Sequence, residues 1–306
     1  MQNNIVNKKV ILPKHFNISS VPSVLKEIEG IFSITGKKIP GFILDTSKVE
    51  DLSMIGALLL YKIVEFTVIY ECFVSATIAF HPNYKVMQFL AQYGFHDLIT
   101  AFVYDKENKI SKELKKLKIS VNDKFIIAPK ALLRDDPNSR EEINKLYLPQ
   151  IQTYYKNDPK AISMILLVFS EILLNFWEHA QRDSQSIIVA NGNKNNIQIS
   201  CADTGEGIVS TLGSKYPNKR ENAQFILGKS IEKGNTSKSG TNHMGYGLWI
   251  LDEITTAVKG QMYIYSQGAY YSNESGKKKT GNCGYWQGTI IYLSLPLFHS
   301  KTLEDI

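Results

Sequence analysis

Residues 197–208 read Ile197-Gln198-Ile199-Ser200-Cys201-Ala202-Asp203-Thr204-Gly205-Glu206-Gly207-Ile208. The first six form an apolar strand pattern that runs straight into an acid and two glycines spaced D-x-G-x-G. A carboxylate at a strand end can accept a hydrogen bond from an exocyclic amine. The glycines let backbone approach a flat ligand closely. Upstream, residues 187–190 form a partner strand across a polar turn, Asn191-Gly192-Asn193.

Two further segments carry chemistry. Residues 161–180 predict a long helix with an apolar body and late polar residues at Glu171, Asn175, Glu178 and His179. Spacings of four, three and four put these on one helical face. The amide oxygen of Asn175 can ligate Mg²⁺, and Glu171 one turn earlier can orient and deprotonate a nucleophile. About forty residues after the acid comes Gly245-Tyr246-Gly247-Leu248, opening a helix with apolar residues at Leu248, Leu251, Ile254 and Val258. Glycines at a helix N-terminus expose amide hydrogens at the positive end of the dipole, where phosphate binds. Gln261–Ser266 and residues 288–296 then read as antiparallel strands.

Each glycine pair alone recurs by chance, but the ordered set does not. E-x-x-x-N on a helix, strand-D-x-G-x-G, G-x-G-L-helix and Gly288-Thr289-strand-Pro resemble the GHKL superfamily of ATPases over residues 160–297. That superfamily includes gyrase, the heat-shock chaperones, histidine kinases and mismatch-repair proteins. The resemblance implies the Bergerat fold, a mixed sheet backed by helices, with ATP held between sheet and helices. It implies Asn175 as Mg²⁺ ligand, Asp203 as adenine contact and Gly205 and Gly207 as the first glycine box. Gly245 and Gly247, with Tyr246 and Leu248, become the second, their amides on the phosphates. Thr289 becomes the threonine bonded to the adenine side through water. Residues 209–244 correspond to a mobile ATP lid. Within them Gly234-Asn235-Thr236-Ser237-Lys238-Ser239-Gly240 resembles a Thr-Thr-Lys segment, with Lys238 over the terminal phosphate. Glu171 matches the glutamate of members that hydrolyse ATP or phosphorylate serine, whereas sensor histidine kinases often lack that base. His243 reads as a hydrogen-bonding or solvent histidine.

Upstream, strands alternate with helices: strands at 9–13, 41–45 and 74–80, helices at 21–32, 55–69 and 84–93. This predicts a small α/β sandwich. The order, with Asp51-Leu52-Ser53-Met54-Ile55-Gly56-Ala57 between strand and helix, resembles the STAS domain of anti-sigma-factor antagonists. In that family a serine of this turn accepts phosphate. Here Leu52 replaces the first serine and Met54 a glycine, and Ser53 reads as a helix N-cap. The lysine-rich stretch 104–118 marks a boundary. The expected organisation is a STAS-like domain over 1–105, a connecting segment over 106–150, including a strand at 124–128 and a helix from about Arg140, and an ATP-binding domain over 151–306.

Composition narrows the rest. The 306 residues are 43% hydrophobic and 21% charged, which excludes global disorder. Lys and Arg total 35 against 29 Asp and Glu. The excess lies in short patches, such as Lys277-Lys278-Lys279, rather than one stripe, so nucleic-acid binding is not supported. Cys72, Cys201 and Cys283 are few, distant and odd in number, which argues against a disulfide framework or structural zinc; Cys201 reads as a small buried hydrophobe. Residues 1–9 lack the apolar core of a signal peptide, and charged or polar residues interrupt 52–70 and 161–177. The expectation is a soluble, cytoplasmic protein. Its function is expected to be that of a Mg-ATP-dependent conformational switch with a STAS-like docking domain for a protein partner or self-association. The alternative is a Ser/Thr protein kinase of the anti-sigma type working by partner switching.

Overall fold

The computed structural model describes residues 8–32, 42–69, 76–79, 86, 89–90, 93–95, 126–133, 139–179, 185–219, 222–237 and 245–297. Two compact units divide the chain, Met1–Asn122 and Asp123–Ile306.

In the first unit, β1 (Lys8–Ile11), β3 (Phe42–Asp45) and β5 (Ala76–Ala79) form a parallel sheet in the order β1-β3-β5. The two-residue strands β2 (His15–Phe16) and β4 (Asp51–Leu52) pair separately. Helix α1 (Val21–Ile28) buries Val21, Val24, Leu25 and Ile28, then tightens into a 3₁₀ turn at Glu29–Ile31 where one continuous helix to residue 32 is expected. Helix α2 (Met54–Ile69) is apolar on all sides and accordingly buried from Met54 to Thr67. Its only charged residues, Lys62 and Glu65, pair with each other inside it, and the Tyr61 hydroxyl donates to Glu65 at 3.1 Å. The α/β reading of this unit matches these elements. The helix expected at 84–93 falls largely outside the described residues.

The second unit is built on a seven-stranded sheet, in the order β11-β10-β9-β12-β8-β7-β6. Its strands are β6 (Ile126–Leu133), β7 (Gln185–Gly192), β8 (Asn196–Ala202), β9 (Gln261–Ser266), β10 (Ala269–Glu274), β11 (Lys277–Asn282) and β12 (Thr289–Pro296). All six pairings are antiparallel, which corrects the expected mixed sheet. Tight hairpins set three of these pairings, β7–β8, β9–β10 and β10–β11. Gln267-Gly268 and Ser275-Gly276 have positive φ at both positions (48° and 87°; 54° and 89°), so each joins antiparallel neighbours through a two-residue turn. The β7–β8 turn lies two residues later than expected. Asn193 Oδ1 accepts from the amides of Asn195 and Asn196 at 2.8 and 3.1 Å, so the turn centres on its Asx geometry.

The stretch expected to connect the domains is part of this unit from Asp123 onward. β6 is longer than expected because it continues through Pro129. As an edge strand with a bulge between Ile127 and Lys130, it tolerates the missing amide. Helix α3 (Ser139–Tyr154) follows, and Tyr154 donates to the carbonyls of Asn193 and Asn196, clasping the β7–β8 hairpin.

Helix α4 (Pro159–His179) starts where Asp158 accepts from the Ala161 amide and Pro159 supplies the preset first φ. By length and hydropathy, Pro159–Trp177 could cross a membrane. In this unit its inward residues Ala161, Ile165, Val168, Ile172 and Phe176 are core, packed with Ile188, Ile199, Leu251, Ile264 and Ile291. Three shorter helices, α5 (Gly207–Gly213), α6 (Ala223–Ser230) and α7 (Gly247–Ala257), complete the unit. α7 packs against α4, β9 and β10.

Candidate functional site

Packing α7 on α4 decides the site, because it brings the polar turn of one helix to the N-terminus of the other. The approach is close. A Cβ on Gly247 would lie 2.7 Å from Glu171 Oε2 and 3.7 Å from Asn175 Nδ2. Within α4 the Asn175 Nδ2 donates to the Glu171 carbonyl at 2.8 Å, which commits the amide nitrogen and presents the oxygen as the atom that can ligate a cation.

Across the cavity, Asp203 directly follows β8 and is 8% exposed. Its Oδ1 accepts from the Gly205 amide at 2.8 Å, and its backbone amide donates to the Thr289 carbonyl. The Trp286 indole, fully buried, donates to the Asp203 carbonyl at 2.7 Å. Gly288 is needed here for space: a Cβ there would come within 2.3 Å of both the Asp203 carbonyl and Oδ1. The Gly205 amide therefore orients the carboxylate, while the Trp286 indole and the Thr289 carbonyl fix the Asp203 backbone that carries it.

The first glycine pair is stitched to the sheet. Ser266 Oγ accepts from the Ile208 amide and donates to the Gly288 carbonyl, while the Gln267 side chain accepts from the Ser210 amide at 2.7 Å. Gly207 sits where a Cβ would be 2.7 Å from the Gln287 carbonyl. Gly245 has φ +68°, and its Cβ would meet the Asn235 backbone at 2.7–2.9 Å, so the second glycine pair is packed against the chain just before it. The Gly234 amide donates to the Gly245 carbonyl at 3.1 Å.

One cavity of about 290 Å³ joins these parts. Its lining includes Glu171, Asn175, Asp203, Gly207, Gly245, Tyr246, Gly247, Leu248 and Thr289. Apolar walls come from Ile172, Phe176, Leu212 and Ile291, with Cys201 between them. Polar groups from α4, the α7 terminus and the end of the sheet thus share the cavity with apolar side chains of α4, α5 and β12, an arrangement suited to a flat base with a charged tail.

Residues 161–299 match the family model described as "Histidine kinase-, DNA gyrase B-, and HSP90-like ATPase". This part of the chain is a GHKL-type ATPase domain. No curated protein matches the chain.

Within the ATPase domain, nine of the eleven residues singled out from the sequence line the cavity. Gly205 does not; its amide turns back to Asp203 and shapes the carboxylate instead of facing a ligand. Lys238 and His243 lie outside the described residues, as do the side chains of Glu178 and His179. Sequence reasoning missed Trp286, Ser266 and Gln267, which act through backbone carbonyls and amides. Only the Trp-Gln-Gly-Thr run before the last strand could have signalled the first of them. The segment Asn235, Thr236 and Ser237 also lines the cavity, as a lid base would.

Proposed function

We propose that the chain binds Mg-ATP in this cavity, hydrolyses it, and works as an ATP-driven conformational switch whose N-terminal unit is a docking or regulatory module. The observation that carries this reading is the approach of Gly247 to Glu171 beside Asn175. The Glu171 carboxylate, the Asn175 amide and the N-terminus of α7 share one wall, with Asp203 and Thr289 also lining the cavity, which supports roles as base, cation ligand and phosphate site. In this reading Asp203 accepts from the adenine amine, the α7 amides hold phosphate, and Glu171 takes a proton from the attacking water. Asn175 Oδ1 would hold Mg²⁺, which neutralises phosphate charge when bound; one protein ligand suffices because that ion keeps waters and phosphate oxygens as the rest of its shell.

The switch is favoured over a kinase acting on its own N-terminal unit by the state of Ser53. Its hydroxyl donates to the Phe16 carbonyl at 3.0 Å and accepts from the Gly56 amide at 3.3 Å, so it is engaged as a helix cap.

Equilibrium binding with and without Mg²⁺ tests the metal assignment. Asn175→Ala should lose most of the Mg²⁺-dependent gain in ATP affinity while Mg²⁺-free binding changes little. An undiminished Mg²⁺ effect in that variant would remove Asn175 from the site.

A further inference from the structure

Lys233 stands next to an acid that does not neutralise it. Glu232 is engaged by Lys229 at 2.8 and 3.0 Å, while the Lys233 ammonium lies 4.7 Å from the centre of the Trp249 ring and 5.5 Å from that of Tyr246. The two rings meet edge to face at 6.0 Å, three residues apart at the start of α7. Tyr246 is the residue that caps α7 and precedes Gly247, whose backbone abuts Glu171. The neighbouring chain is fastened to the same place: Gly234 donates to Gly245, Gly245 packs on the Asn235 backbone, and Tyr216 donates to Asn235 Oδ1 at 2.9 Å. Asn235 and the two residues after it line the cavity.

We propose that Lys233 is a positioning residue that seats the base of the 232–237 segment on the rings of Tyr246 and Trp249, and that its charge sets how long nucleotide is retained. This rests on the ATP-binding reading above. A cation over two aromatic faces is attracted by the ring quadrupoles, and at an exposed site such a contact is worth roughly a two- to fivefold change in an equilibrium. Lys233 touches neither wall of the cavity. It acts through Tyr246 on the turn that presents the α7 amides, and through Gly234 on the segment that lines the cavity. The side chain is exposed, so its replacement leaves the core intact.

Four variants separate charge from stem: Lys233→Met, Lys233→Arg, Trp249→Leu, and Lys233→Met combined with Trp249→Leu. Two readouts are needed, hydrogen exchange at the Gly234 amide without nucleotide and dissociation of a fluorescent ATP analogue. Lys233→Met should speed both by about two- to fivefold, raising KM for ATP with kcat little changed, and Lys233→Arg should restore both. In the Trp249→Leu background, where only the longer Tyr246 contact remains, Lys233→Met should have a smaller effect than in the wild-type background. Lys233→Met behaving as wild type while nucleotide still binds would overturn the clasp alone. An effect that Lys233→Arg fails to rescue, or that is undiminished without Trp249, would also overturn it. Failure of the unmodified chain to retain the analogue, with Gly234 exchange still sensitive to Lys233→Met, would instead overturn the nucleotide reading and with it the retention role.

Discussion

At the residue scale the proposed adenine pocket depends on Asp203. A carboxylate with a fixed backbone frame around it has its orientation set before ligand arrives, so it need not spend binding energy on ordering. Asp203→Asn keeps the shape and leaves room for Gly288, but puts an amide that can present the wrong end to an adenine amine. Losing one charge-assisted hydrogen bond in a buried site costs about 1.5–3 kcal/mol, roughly ten- to a hundredfold in affinity. Calorimetry should show that loss for ATP and a much smaller one for inorganic triphosphate, which lacks the base. Equal losses for both ligands would mean that Asp203 faces phosphate rather than base. The residues that frame it explain part of what the sequence concealed. Asp203, Gly207 and Gly247 stand in a legible order along the chain, but Trp286 and Ser266 contribute through carbonyls and amides, and no side-chain chemistry advertises such a role.

At the scale of elements, the helices were the more legible part. The Asp158-Pro159 start of α4 and the apolar spacing of α4 and α7 carry their own signals, and both helices lie close to where periodicity puts them. The sheet was less so. β10 and β11 carry Tyr, Ser, Asn and a lysine run on an edge, so apolar alternation is weak there, and only the Gln267-Gly268 and Ser275-Gly276 turns mark the hairpins. β11 is an outer strand whose lysines suit an exposed edge. The end of β3 makes a separate, pH-dependent prediction. The Lys9 ammonium at 2.7 Å and the Ser47 amide at 2.8 Å hold the buried Asp45 carboxyl well below the usual carboxylate range. A depressed folded-state value adds stability above the unfolded pKa of about 3.9, and that stability is lost as pH falls through the lower folded value. In urea titrations, wild type should therefore exceed Asp45→Asn in stability at pH 6, and the gap should narrow as the pH is taken below about 4. A gap independent of pH would show that the carboxylate charge is not what stabilises this strand end.

At the scale of the whole molecule, the chain couples an ATPase domain to an α/β unit with its own parallel sheet. On the switch reading the N-terminal unit receives a partner rather than phosphate. Mass spectrometry after incubation with ATP and Mg²⁺ should find Ser53 unmodified, since phosphorylation would remove the hydroxyl from Phe16 and Gly56 and uncap α2. Stoichiometric phosphate there, absent in Ser53→Ala, would favour the kinase instead. On the same reading this site sends the terminal phosphate to water, with Glu171 as base. This is tested most directly by incubating the full chain with γ-labelled ATP and following the label, with Glu171→Ala alongside. The expected result is label released as inorganic phosphate, none held on protein, and a rate roughly 10²–10⁴-fold lower in Glu171→Ala at nearly unchanged ATP affinity. Label accumulating on the protein, or Glu171→Ala turning over like wild type, would contradict it.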